Sequence, residues 1–162
     1  MAGIAGIQGA ETSSARAYPL LDSIVKKIKH RGQHETWTQR VGKVNLACCE
    51  LNVGGKSIAG SHHTFDGQRA VVLDGRIYNH VIASEVKQSE KSNLTDAEIL
   101  LHFYDKFGPQ FARRLDGDFA CAIADKGRLI LARDAAGVRP LYYGHSDGKL
   151  CFASEAKGLL DI

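Results

Sequence analysis

Neither sign of charge dominates this chain: 21 basic and 18 acidic residues leave a net charge of +3 over 162 residues. The densest basic group, Lys26, Lys27, Lys29 and Arg31, reads as the wet face and end of a helix. No aromatic–basic stripe accompanies it, so nucleic acid is not an expected partner. Long apolar runs are also missing, and the N-terminus lacks a charged region followed by an apolar stretch. Neither a membrane span nor a leader peptide is therefore expected. Cysteine is sparse, at positions 48, 49, 121 and 151. No Cys-x-x-Cys pair occurs, and adjacent Cys48 and Cys49 are poorly placed to bridge each other. Reduced, buried cysteines in a cytoplasmic protein are the expectation. A metal site built from Cys48, Cys49, His62 and His63 matches no zinc spacing. No metal or cofactor is expected, and His62-His63 reads as a surface loop.

What is present suits one compact domain over residues 1–162. Hydrophobic content of 44% and charged content of 24% are ordinary for a globular chain able to bury a core. Met1 to Ile7 reads as a short buried strand. Pro19 to Arg31 carries helical spacing, with Leu20, Leu21, Ile24, Val25 and Ile28 on one face. Pro19 suits its first turn and Gly32 a left-handed stop. A second helix runs from Thr95 to Phe107. Thr95 and Glu98 form a capping box, and Gly108-Pro109 ends the element. Shorter helices are expected at His80–Gln88, Pro109–Leu115 and Glu155–Leu160. Strands are expected at Lys43–Val53, Arg69–Leu73, Asp118–Ala124, Arg128–Ala132, Leu141–Tyr143 and Leu150–Ala153. Lys126-Gly127 and Asp147-Gly148 mark hairpin turns. Sequential strand pairing implies antiparallel sheets with helices on their outer faces, an α+β domain.

Four segments carry a resemblance. They are Met1-Ala2-Gly3-Ile4-Ala5-Gly6-Ile7, Leu73-Asp74-Gly75-Arg76-Ile77-Tyr78-Asn79-His80, Leu115-Asp116-Gly117-Asp118-Phe119-Ala120, and Ala132-Arg133-Asp134 through Gly137 to Pro140-Leu141-Tyr142-Tyr143. In that order and spacing, and with Phe152-Ala153-Ser154-Glu155 beyond them, they resemble the glutaminase domain of asparagine synthetase-type class II glutamine amidotransferases. The resemblance covers nearly the whole chain. It implies the αββα sandwich of N-terminal nucleophile hydrolases, two antiparallel sheets between helical layers. Complete members of the family carry a synthetase or transferase domain after this point; here a single domain over residues 1–162, without one, is the expectation.

The same resemblance assigns four roles, and this chain departs from most of them. The family's nucleophile is a cysteine exposed by removal of the initiator methionine; here that position holds Ala2, which has no sulfur to form a thioester. Thr12, Ser13 and Ser14 read as exposed linker before the first helix rather than as replacements. The oxyanion hole takes an asparagine side chain and the next glycine's N–H; here the pair is Asp74 and Gly75. An ionised carboxylate has no hydrogen to donate. An arginine that would hold the substrate α-carboxylate corresponds to Glu50. Of the acidic groups that would hold the α-amine, one is matched by Asp96 and the other is replaced by Arg76. Asp96 equally suits a helix start, where the dipole favours a carboxylate. Glu50 and Arg76 read as an exchanged pair forming a salt bridge in the vacated pocket. A pocket binding a carboxylate in reversed orientation, with Arg76 as its holder, is the alternative. The family's His-Arg-Gly-Pro-Asp turn reads His30-Arg31-Gly32-Gln33-His34 here.

Three functions follow from these departures. The first is a glutaminase-like module without amide hydrolysis, contacting or regulating a synthetase or transferase partner. The second is an ordinary glutaminase domain whose cysteine was changed to alanine by design. The third is a binding domain for glutamine, another amino acid or a small anion.

Overall fold

A computed structural model describes residues 2–9, 14–53, 56–57, 63–78 and 94–160. The helix expected over residues 80–88 lies outside them. Because successive strand residues face opposite sides, each buried strand here serves two cores. Strand β1 (Gly3–Gly9), preceded by Ala2, turns Ala2 and Ile4 to one side and Ala5 and Ile7 to the other. It lies inside a five-stranded antiparallel sheet ordered β10-β11-β1-β3-β2, where β2 is Glu35–Val41, β3 is Val44–Glu50, β10 is Tyr142–Ser146 and β11 is Lys149–Ala153. The second sheet, ordered β6-β7-β8-β9, comprises His63–Phe65, Arg69–Ile77, Gly117–Asp125 and Arg128–Arg133. A two-stranded ribbon, β4 (Asn52–Val53) with β5 (Lys56–Ser57), follows β3.

Helix α1 (Ser14–Ile28) covers the outer face of the first sheet, packing Leu21, Ile24, Val25 and Ile28 on Ala5, Ile7, Ala47 and Cys151. Helix α2 (Asp96–Phe107) covers the second, with Ile99, Leu100 and Phe103 against Val71, Leu73, Phe119 and Ile123. Between the sheets lie Ile4, Leu46, Cys48, Val72, Ala120, Ala122, Ala124 and Phe152. The expected αββα layering is therefore present.

Several local expectations hold. The Thr95–Glu98 capping box forms in both directions, and Gly108 (φ +56°) closes α2 by donating to Tyr104 O. Both hairpin turns place two successive residues at positive φ, Lys126-Gly127 and Asp147-Gly148. Other expectations need correction. Pro19 lies inside α1, which starts at Ser14; the good helix formers Ala15, Arg16 and Ala17 extend it backwards. Ser14 is thus helical, while Thr12 and Ser13 lie outside the described residues. Gly32 is extended (φ −156°) and not left-handed. Its need for glycine is steric, because a Cβ there would sit 2.3 Å from Cys49 O on β3. The long strand expected from Lys43 breaks at Leu51. The segments after α2 and before the C-terminus are 3₁₀ turns, Gly108–Arg114 and Ala156–Leu159. Strand β2 is an edge strand with alternate residues in water, so only Trp37 and Val41 gave an apolar signal. His63 is in β6 instead of a surface loop.

Candidate functional site

The residue that precedes the chain's first strand is enclosed. Ala2 is buried beneath β7, and its backbone N–H donates to Asp74 Oδ1 at 3.1 Å. Asp74 shares its face of β7 with Ala70 and Val72, which places its carboxylate between the sheets with no exposure to water. A buried charge of this kind requires a partner. Arg31, in the 3₁₀ turn that ends α1, supplies it. Its guanidinium donates to Asp74 Oδ2 at 2.5 Å and to Ala2 O at 3.0 Å. The Arg139 guanidinium stands 4.0 Å from Asp74 Oδ1. Behind Arg31, Glu155 accepts from it at 3.4 Å and pairs with His30 (2.8 Å) and Lys157 (3.0 Å). Burial acts to raise the Glu155 carboxyl, but Lys157, His30 and Arg31 outweigh it and hold the group below its ordinary range.

Gly75 follows Asp74 at φ +125°, and a Cβ there would lie 1.8 Å from Asp118 O on β8. Its conformation is fixed both by its own dihedral and by the neighbouring strand. Arg76, one residue further, is exposed.

Glu50 ends β3 on the inter-sheet face, two residues after Cys48. The salt bridge expected with Arg76 is superseded: Glu50 Oε1 lies 2.7 Å from His63 Nδ1 on β6. A carboxylate offers only acceptors, so Nδ1–H donates. Water solvates Arg76 where it stands, and the carboxylate in need of an arginine is Asp74. Trp37, opposite Cys48 in the β2–β3 register, stacks on the His63 ring with centroids 4.4 Å apart. Cys48 is fully buried. Burial first, and then the negative fields of Glu50, Cys49 and Asp74, push its thiol well above the ordinary value. The sulfur on the strand beside Ala2 is therefore a poor stand-in nucleophile.

Asp96 is buried in the first turn of α2, directly after the Thr95 cap. The structure thus brings Ala2, Asp74 and Gly75 to one place, with Glu50 beside Cys48 on the neighbouring strand. It leaves Arg76 in water and Asp96 at a helix start. Sequence reasoning missed Arg31 and Glu155 as parts of the site, and it named Cys48 and His63 only in a metal set that it put aside for want of a zinc spacing. For Arg31, the surviving His30-Arg31-Gly32 of the family turn was the available signal.

The Ala2 N–H and the Arg31 guanidinium hold Asp74 in place, and Ala2 brings no nucleophilic side chain to it. Asp74 holds both carboxylate oxygens on donors and has none to offer. No helix of the described residues is long and apolar enough to cross a membrane.

Comparison with known proteins agrees with this layout. A glutamine amidotransferase domain family matches residues 1–162. The chain is 32% identical over 170 residues to an Arabidopsis thaliana asparagine synthetase [glutamine-hydrolyzing] 2, covering 99% of this chain and 29% of that protein. It is 30% identical over 174 residues to a probable asparagine synthetase of Dictyostelium discoideum, covering 99% and 30%. The chain thus spans under a third of the length of these curated relatives. Its backbone matches a glutamine phosphoribosylpyrophosphate amidotransferase from B. subtilis at a TM-score of 0.74 and 18% identity, covering 97% of this chain and 42% of that one. At that identity the likeness speaks for the fold: an N-terminal nucleophile amidotransferase sandwich. With the family match spanning all 162 residues and full-chain relatives above 30% identity, this chain belongs to the glutamine amidotransferase domain family, of the class II, asparagine synthetase-like type.

Proposed function

We propose that this chain is a glutaminase-fold domain that does not hydrolyse glutamine and serves as a binding or regulatory module beside a cytoplasmic synthetase or transferase partner. The observation that carries this reading is the engagement of Asp74 by Arg31 and by the Ala2 N–H. At the place where an acyl-transfer site must stabilise negative charge, this chain holds a buried carboxylate already committed to a guanidinium. Losing one oxyanion donor costs about 10²–10³ in rate, and a carboxylate in its place repels the developing charge. Ala2 meanwhile removes the nucleophile itself. The loss is therefore double, and restoring sulfur alone does not repair it.

The test is ammonia release from glutamine by the unmodified chain, by Ala2→Cys, and by Ala2→Cys/Asp74→Asn. Intact mass is used to verify that Met1 is absent from each variant. Neither the unmodified chain nor the single variant is expected to turn over. Turnover by Ala2→Cys alone in the usual range of about 1–10³ s⁻¹ would overturn the reading and favour an ordinary glutaminase disabled at one residue.

The exposed Arg76, at the water-facing end of the inter-sheet face, favours a second reading: recognition of glutamine, glutamate or another small anion. Calorimetric titration with glutamine, glutamate and aspartate reads it directly. Heat that is unchanged in Arg76→Ala removes Arg76 as the anion holder.

A further inference from the structure

Three side chains of different ligand chemistry meet between β3 of the first sheet and β6, an edge strand of the second. Cys48 Sγ and a Glu50 carboxylate oxygen come from the same face of β3, and a His63 ring nitrogen comes from β6. Each of these atoms lies within 4.8 Å of the others. We propose that Cys48, Glu50 and His63 form a divalent transition-metal site, suited best to Zn²⁺, at the Glu50 end of the inter-sheet cleft. The inference is independent of the proposed function, because it concerns neither Ala2 nor glutamine.

Chemistry and charge both favour zinc. One thiolate, one imidazole and one carboxylate are a borderline-soft mixed set, which suits zinc better than calcium or magnesium. Zinc bond lengths of about 2.0–2.3 Å at tetrahedral angles place donor atoms roughly 3.3–3.6 Å apart. The observed trio brackets that spacing, since Glu50 Oε1 and His63 Nδ1 are 2.7 Å apart and the widest separation is under 4.8 Å. Adjustment of the Glu50 side chain, with the His63 ring kept in its plane against Trp37, would bring these distances to the zinc values. When the bond to sulfur forms, the Cys48 proton leaves to solvent. The thiolate and the carboxylate then balance the two positive charges. Arg31 pairs with Asp74 and so tempers the last of the negative fields that act on Cys48.

The surroundings supply orientation and access. Stacking on Trp37 fixes the plane of the His63 ring. Cys48 and Glu50 are buried while His63 is partly exposed, so an ion enters from the β6 side. Three protein ligands leave one position for water or a ligand atom, the pattern of zinc sites that do more than staple a fold. Such an ion would stand where the resemblance puts the carboxylate-binding arginine. It would restore a positive centre to a position that now carries Glu50.

The experiment uses the tag-free chain of 162 residues after chelator treatment. It is titrated with Co²⁺ by absorbance and with Zn²⁺ by calorimetry, while the emission of Trp37, the chain's one tryptophan, is followed. One equivalent is expected, with a thiolate-to-cobalt charge-transfer band and a change in Trp37 emission. Cys48→Ala is expected to abolish the band. His63→Gln and Glu50→Gln should each weaken binding about tenfold or more. Cys49→Ala, on the opposite face of β3, should leave it intact. Circular dichroism checks the fold of each variant. If Cys48→Ala fails to fold, the unmodified chain and the partly exposed His63→Gln still decide. Absence of the band in the unmodified chain overturns the proposal, as does its survival in Cys48→Ala. Binding of several weak equivalents alike in every variant overturns it too.

Discussion

Gly75 shows how tightly single residues are specified around the cleft. Its φ of +125° lies where side chains are rarely tolerated, and an added Cβ would meet the Asp118 carbonyl at 1.8 Å. Relief would require β7 and β8 to separate, breaking a nine-residue ladder. Gly75→Ala is therefore expected to cost about 3 kcal/mol or more in a urea melt, at the upper end of point-mutant effects. A cost under about 1 kcal/mol would show that the ladder can shift there. At this scale the family resemblance named Ala2, Asp74 and Gly75, which the structure brings together. Arg31 was not readable in this way. Its role depends on reaching Asp74, 43 positions along the chain, and no local pattern records such a reach. The Glu50–Arg76 exchange failed for a related reason. Charge complementarity suggested a pair, but strand geometry gave Glu50 the nearer His63.

Among the elements, the connection between β9 and β10 depends on one carboxylate. Asp134 is buried and accepts from the backbone N–H groups of Val138 (2.9 Å) and Arg139 (3.2 Å), while its own carbonyl accepts from Gly137 N–H. Burial alone would raise its pKa, but the Val138, Arg139 and Gly137 N–H groups prevail and hold it below the ordinary carboxylate value. A group whose pKa is lower when folded stabilises the fold above its unfolded value, about 3.9. That stability is lost as pH falls through the folded value. Asp134→Ala should therefore destabilise by about 1.5–3 kcal/mol at neutral pH. The gap from the unmodified chain should narrow as pH drops below about 4. Urea melts across that range check it, and a gap independent of pH would mean that packing, not the charged form, holds the loop. Elements with local signatures were legible. The Thr95 capping box and the two positive-φ turns are written within four residues each. Strands β2 and β6 were not, because one is polar on its wet side and the other only three residues long.

For the molecule as a whole, the question is how two sheets come close enough to bury Asp74. The first strand pairs with the last, so Ile4 and Ser154, 150 positions apart, hydrogen-bond at 2.9 Å. This closes one sheet around the chain's beginning and presses Ala2 toward β7. On the facing sheet, β8 turns only alanines inward, at 120, 122 and 124, and leaves Ile4, Leu46 and Phe152 to fill the gap. The alanines of β8 opposite those large side chains let the layers interdigitate at the spacing of about 10 Å usual for packed sheets. Ala122→Leu breaks that arrangement at its centre and should cost about 1–3 kcal/mol by overpacking. For a chain of this size each kcal/mol lowers the melting temperature by roughly 2–4 °C. A substitution to the same residue in water, Val138→Leu, should stay within about 0.5 kcal/mol. The larger effect must also be felt at the cleft, because the Ala2–Asp74 hydrogen bond links one sheet to the other. If Ala122→Leu melts like the unmodified chain, the layers have slack between them. Asp74 would then be held by its charged partners, Arg31 and Arg139, and not by the closeness of the sheets.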